Sequence, residues 1–207
     1  MVRRRTRQRL CLRCVLSPQF LGTLIAERFD QEEHMPNTIE KAASKALGTV
    51  KVVQASLEGL TGVFRHLMQE HGEVSASIKR LGVSSDSDLR RELYPTIRKQ
   101  LLAHEKGELE AVYPVLAEYP ETEEIAAIHA REASELEAAI RAVDAIDFGA
   151  QAWAPAFEHL AELVKAHVDE EERSFFPKAQ QAIGEERARG LTSRFEAAKQ
   201  SHGDRSH

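Results

Sequence analysis

Two stretches of this 207-residue chain repeat one pattern, and the repetition restricts the fold more than any other feature. His104 and Glu108 stand in HEKGELEAVYP, and His167 and Glu171 stand in HVDEEERSFFP. Both read His-x3-Glu-x4-(Tyr/Phe)-Pro, closing on Tyr113-Pro114 and on Phe176-Pro177. Residues four apart on an α-helix lie about 40° apart, on one face. An imidazole and a carboxylate on a stripe that faces a core are costly unless they are paired, hydrogen-bonded or metal-bound. Each pair has one further histidine upstream, His71 in QEHGEV and His129 in AIHARE, so the chain presents His and then His-x3-Glu, twice.

The surrounding sequence supports helices as the carriers. Glycine and proline are sparse at 11 and 7, and Ala, Glu, Leu, Lys and Arg dominate, a helix-forming composition. Asn37 and Thr38 can cap a first helix whose apolar positions run through Val50, Val53, Leu57, Leu60, Val63, Phe64, Leu67 and Met68 to about Leu81. Gly48, Gly59 and Gly62 weaken it, so the part before Gly59 reads as a separate lead-in helix. Gly82 to Asp86 forms a loop and cap, and a second helix runs to about Glu118, kinked or restarted at Pro95. Pro120 and Glu121 open a third, reaching about Ile146. A fourth runs from about Ala152 to Ile183, and a short fifth follows Gly184, from Glu185 to about Lys199. The expected class is all-α: an up-down antiparallel four-helix bundle over residues 36–200, with a polar tail at 201–207.

Residues 1–35 stand apart. The first 34 hold seven arginines and four acids, a net of +3, which leaves −8 for the rest of a chain whose total is −5. They read as a disordered basic extension, and Met35 offers an alternative start. Both cysteines, Cys11 and Cys14, lie here without a second pair to complete a zinc site. No cysteine follows, so disulfides take no part in the bundle, which suits the cytoplasm. The acidic balance provides no footprint for nucleic acid, and no apolar run approaches the roughly 18 residues of a membrane span.

Antiparallel helices can bring His71, His104, His129 and His167 to similar depth, with Glu108 and Glu171 one turn away as bridges between two ions. Mixed imidazole and carboxylate ligands suit iron or manganese, and zinc also fits. Six protein ligands leave coordination positions open.

The order His71, His104-x3-Glu108, His129, His167-x3-Glu171, with an aromatic-proline after each pair, resembles the hemerythrin-like HHE domain, over about Thr38 to Ile183. The resemblance implies an up-down bundle with a non-haem di-iron centre whose small ligands are oxygen, nitric oxide or peroxide. It also marks Glu105 as a carboxylate that some members use, although on this sequence Glu105 reads as facing solvent or supporting a ligand rather than being one. One departure matters. Oxygen-carrying members place another histidine four residues after the third-helix one, where this chain has Ala133. That argues against stable carriage and for sensing, iron handling, stress protection or peroxide chemistry.

The remaining histidines read otherwise. His66 lies about 140° around the helix from His71 and should miss the site, and His159 lacks a partner motif. Tyr113 and Phe176 read as core aromatics beside the metal layer, Tyr113 with a lesser hydrogen-bonding or redox role. Trp153, Phe157 and Phe64 read as packing. Three functions fit: a di-iron binding protein, a peroxide-consuming enzyme, or a metal-stabilised interaction module with an unknown protein partner.

Overall fold

The computed structural model describes residues 36–203, with side chains over 41–201; the basic extension lies outside the described residues. The described residues are helical throughout, with no strand among them. α1 (Pro36–Leu57) is followed by α2 (Gly62–Gly82) and α3 (Ser87–Gly107). A π-helical turn (Glu108–Val112) joins α3 to the short α4 (Tyr113–Leu116), and α5 (Glu123–Asp144) and α6 (Trp153–Glu170) follow. A second π turn (Glu171–Phe175) leads into α7 (Phe176–Gly203). Within α7 Gly184 is non-helical at φ 76°, the break expected there, and a further helical stretch follows it.

Each boundary has a local cause. Asp86 caps α3 by accepting the Asp88 backbone N–H at 2.8 Å. Gly59 turns the chain between α1 and α2 at φ 76°. Of the kink or restart expected at Pro95, the restart is corrected: α3 runs through it as one helix. Pro95 is exposed, so the carbonyl it leaves without an N–H partner is on the side that water reaches. The interruption falls instead after Gly107, where the Tyr113 N–H reaches back five residues to the Glu108 carbonyl; Phe176 does the same to Glu171. Pro114 and Pro177 explain both, because a proline ring would clash with the carbonyl four residues earlier in a regular ladder.

Two apolar clusters sandwich a polar layer. One gathers Phe64, Leu67, Val112, Leu116, Phe175, Phe176 and Phe195, and the other Leu81, Tyr94, Ile97, Ile140, Trp153, Phe157 and Leu160. Along α2 the chain passes from the first cluster through His71 to the second. Along α3 it passes from the second through His104 to the first, and α5 and α6 repeat the alternation through His129 and His167.

The lead-in helix departs from expectation. Val50, Val53 and Leu57, expected among the packed apolar positions, are 60%, 56% and 85% exposed. The reason is a glycine contact: a Cβ on Gly72 would lie 2.8 Å from the Leu47 carbonyl and 2.9 Å from the Gly48 Cα. α1 thus meets α2 backbone to backbone through its glycine face, and its larger apolar side chains are turned outward.

Candidate metal centre

All six residues singled out in the sequence converge. His71, Glu108, His129 and Glu171 are buried at 2%, 0%, 0% and 0% exposure, and His104 and His167 are nearly so. His71 Nε2 stands 3.2 Å from His104 Nε2 and 3.4 Å from Glu171 Oε2. His104 Nε2 is 3.5 Å from Glu108 Oε2, and His167 Nε2 is 3.5 Å from Glu171 Oε2 and 3.9 Å from Glu108 Oε2. Glu171 belongs to two ligand-sized groups, one with His71 and His104 and one with His129 and His167. The Glu171 carboxylate is thus within ligand-sized reach of both pairs of histidines.

Of the two expectations for Glu105, facing solvent or supporting a ligand, burial removes the first. It is 4% exposed, and its Oε1 lies 3.3 Å from His167 Nε2, forming a further group with Glu108 and His167. Burial pushes its carboxyl up to about 7 against the pull of the His167 charge. The sequence signal was its place directly after His104, which shifts it about 100° around α3 and points it at α6.

The outward nitrogens are held by a ring of carboxylates that the sequence reading missed. Glu172 takes His71 Nδ1 at 3.1 Å, and Glu70 takes His104 Nδ1 at 2.9 Å. Glu132 serves His129 Nδ1 at 2.9 Å and His167 Nδ1 at 3.4 Å. Lys51 of α1 pairs with Glu172, and Lys199 of α7 pairs with Glu70, so both peripheral helices support the site. A histidine whose outer N–H donates to a carboxylate keeps its other nitrogen free for a metal, in a fixed tautomer and orientation. No motif could reveal this ring, since Glu70 and Glu172 adjoin ligand positions in sequence but contact histidines on other helices.

Aromatic rings line the same layer. Phe176 stacks on His71 at 5.7 Å and 18°, and Phe175 stacks on His129 at 4.9 Å and 24°. The Tyr113 hydroxyl lies 2.9 Å from Glu108 Oε2 and 3.0 Å from Glu171 Oε1, within donating reach of both central carboxylates. Burial pushes the phenol well above its ordinary value, so it keeps its proton. A Tyr113→Phe change should lower metal affinity by about tenfold, as loss of outer hydrogen bonds does. It should also lower stability by about 1–2 kcal/mol. Competition against a chromophoric chelator and thermal melts measure the two, and unaltered affinity would refute the role. Of the other described histidines, His159 is exposed, and His66 contacts Glu196 and, behind His104, Glu70.

Two observations make the cluster fit a metal. Among the described residues eight buried side-chain polar atoms lack a hydrogen-bond partner, and five belong here: Glu105 Oε2, Glu108 Oε1, His129 Nε2, His167 Nε2 and Glu171 Oε2. Orphaned atoms converging from several helices are costly without an ion. Nitrogen and carboxylate donors together suit divalent first-row metals.

Protons occupy the cluster when metal does not. Burial alone would push His71 down, but the Glu171 and Glu172 carboxylates beside it raise it to about 9 from an ordinary 6.5. His167 is raised in the same way by Glu171 and Glu108. A raised histidine lends stability that is complete below its unfolded value and lost as pH climbs through its folded one. Chelator-treated protein should therefore lose melting temperature between pH 6.5 and about 9. The gain from added metal should grow over the same window, because metal displaces these protons. Melts across that range test both, and a flat metal-free profile would refute the first.

Comparison with known proteins gives the cluster a family. A stretch of 161 residues, 76% of this chain, is 27% identical to a protein described as a DNA nickase from Nostoc sp. (strain PCC 7120 / SAG 25.82 / UTEX 2576), and spans 44% of that protein. No solved structure matches. Residues 62–179, more than half of the chain, match the family model described as the hemerythrin HHE cation binding domain. They take in all six histidines and carboxylates of the layer, and the chain belongs to the hemerythrin HHE cation-binding family.

Proposed function

We propose that this domain holds a non-haem di-iron centre and that its small ligand is oxygen, nitric oxide or peroxide, used in sensing, iron handling or protection against oxidative and nitrosative stress. The observation that carries the reading is the set of buried, unpartnered donor atoms shared between two ligand groups through Glu171. His71 and His104 would hold one ion, His129 and His167 the other, and Glu108 and Glu171 would lie between them. Glu105 is a further carboxylate for the His167 side. Bound iron would supply redox and Lewis-acid chemistry, while the chain supplies a dry layer, fixed imidazole tautomers and the Tyr113 proton. Manganese and zinc are the alternatives for the ion.

The alternation of the two apolar clusters along α2, α3, α5 and α6 supports an up-down four-helix arrangement around this layer. Ala133 is buried where a further histidine would add a ligand, so α5 contributes a single imidazole. Fewer protein ligands favour reactivity over stable carriage. A cytoplasmic setting is part of the proposal, resting on the lack of cysteine after Cys14. The nicking named for the Nostoc protein belongs to a chain more than twice as long as the shared region. It is not carried over, because the strongly acidic balance after residue 34 has the wrong sign for a phosphate backbone.

The test is anaerobic purification, metal quantification, and optical spectra after separate additions of oxygen, nitric oxide and hydrogen peroxide. About two irons per chain, with a spectral response to at least one ligand, is the expected result. A protein that takes up no iron from an anaerobic ferrous solution would overturn the reading.

A further inference from the structure

A cavity of about 590 Å³ reaches the metal layer from the side of the Trp153 cluster. Its inner end is formed by His71, His104, Glu105 and His167. Its walls are apolar and come from four helices: Val74 of α2, Leu101 of α3, Leu136 of α5, and Val164 and Val168 of α6. Its exposed lining residues include Thr96 and Gln100 of α3, which mark the mouth.

The size does not match a diatomic ligand. A water molecule's share of liquid volume is roughly 30 Å³, and oxygen or nitric oxide needs little more. Cavities that hold small organic molecules measure roughly 300–1,000 Å³, with apolar walls and a few convergent polar groups. The polarity of the mouth narrows the class. Apart from the residues of the metal layer, its charged lining residues are Lys99, Lys199, Glu70 and Glu73, a formal sum of zero, and Lys199 is already paired with Glu70. Beyond the mouth no charge compensates an ion until the metal layer, so a charged guest would be desolvated against valine and leucine.

We infer that this cavity is a binding site for an uncharged, mainly apolar organic molecule, seated with one end against His104 and His167. That this molecule is the substrate or modulator of the metals rests on the function proposed above; its binding does not. The cavity would convert a ligand-binding centre into one that acts on, or answers to, a specific organic partner.

The full-length chain, with and without iron, can be titrated with the neutral fluorophore N-phenyl-1-naphthylamine, and the bound probe then displaced with octan-1-ol, octanoate or octylamine. Saturable binding near one site per chain is expected. Octan-1-ol should displace the probe at concentrations lower by about tenfold or more than either charged analogue. Thr96→Trp, at the exposed mouth, and Val164→Trp, in the wall, should each weaken probe binding by about tenfold or more, with helical content checked by circular dichroism. The Thr96 variant leaves the core untouched and keeps the test valid if the Val164 variant does not fold. Val53→Asp, which removes part of the exposed α1 stripe, should leave binding unchanged.

Absence of saturable binding, indifference to Thr96→Trp, or loss on Val53→Asp would overturn the site. Displacement by octanoate or octylamine equal to that by octan-1-ol would overturn the ligand class. Saturable binding in a chain that takes up no iron would leave the cavity standing and remove the metal reading. Iron uptake without probe binding would do the reverse.

Discussion

Replacing both His104 and His167 by alanine is expected to reduce bound metal to about a tenth of the parent's content or less. The two side chains come from the two repeated motifs, and each lies in a different ligand group. Their removal therefore takes one imidazole from each group rather than two from one. It also leaves Glu105, Glu108 and Glu171 buried with fewer positive partners, and orphaning a buried charge costs about 3–5 kcal/mol. The variant should consequently be less stable than the metal-free parent and should gain no melting temperature when iron or zinc is added. Metal analysis after anaerobic reconstitution and paired melts measure the outcome. Undiminished metal content would mean that these histidines are not ligands and would remove the basis of the proposed centre.

A second large effect on stability should come from a residue far from any ligand. Gly62 starts α2 at φ 56°, in the left-handed region, and a Cβ there would lie 2.3 Å from the backbone carbonyl of Ala188. Backbone, unlike the tip of a flexible side chain, cannot swing aside. Gly62→Ala combines conformational strain with a clash between α2 and α7 and should cost roughly 3 kcal/mol or more. Denaturant unfolding of the metal-free protein measures it. Gly59→Ala provides the comparison, because Gly59 shares a positive φ of 76° but has no atom within 4 Å of its added Cβ. It should cost only about 1–2 kcal/mol. Equal losses would show that the contact with Ala188 contributes nothing.

The two outcomes separate what the chain uses for chemistry from what it uses to hold α7 in place. α7 matters to both, because Phe195 packs on Gly107, where a Cβ would lie 2.5 Å from the ring, and Lys199 steadies Glu70 behind His104. A fifth helix read from sequence as an appendage is thus part of the wall of the metal layer.

Much of the site was legible in the residues because its logic is periodic. Four-residue spacing puts His104 with Glu108 and His167 with Glu171 on one helical face whatever the rest of the chain does, and the repeat announces that two such faces must meet. The breaks at Gly59 and Gly184 were legible for the same local reason, since both turn out to need a positive φ. Other features are not local. Tyr113 lies five residues after Glu108, which in a regular α-helix would carry it about 140° away. The π turn, opened for Pro114, brings it back over Glu108 and lets its hydroxyl reach both central carboxylates.

The outward face of α1 and the inter-helix contacts of the carboxylate ring could not be read from periodicity. Val50, Val53 and Leu57 have the spacing of core residues, but the close approach of Gly48 and Gly72 decided which face of α1 was covered. Glu70 and Glu172 look like ordinary surface acids on their own helices and become supports only when histidines of other helices are placed beside them, whereas Glu132 reaches His129 of its own helix as well as His167 of α6. Spacing along one helix is set by covalent geometry and survives in the sequence. Which helix faces which, and at what height, is set by packing between distant segments, and that settled Glu105, Tyr113 and the carboxylates behind the His-x3-Glu pairs.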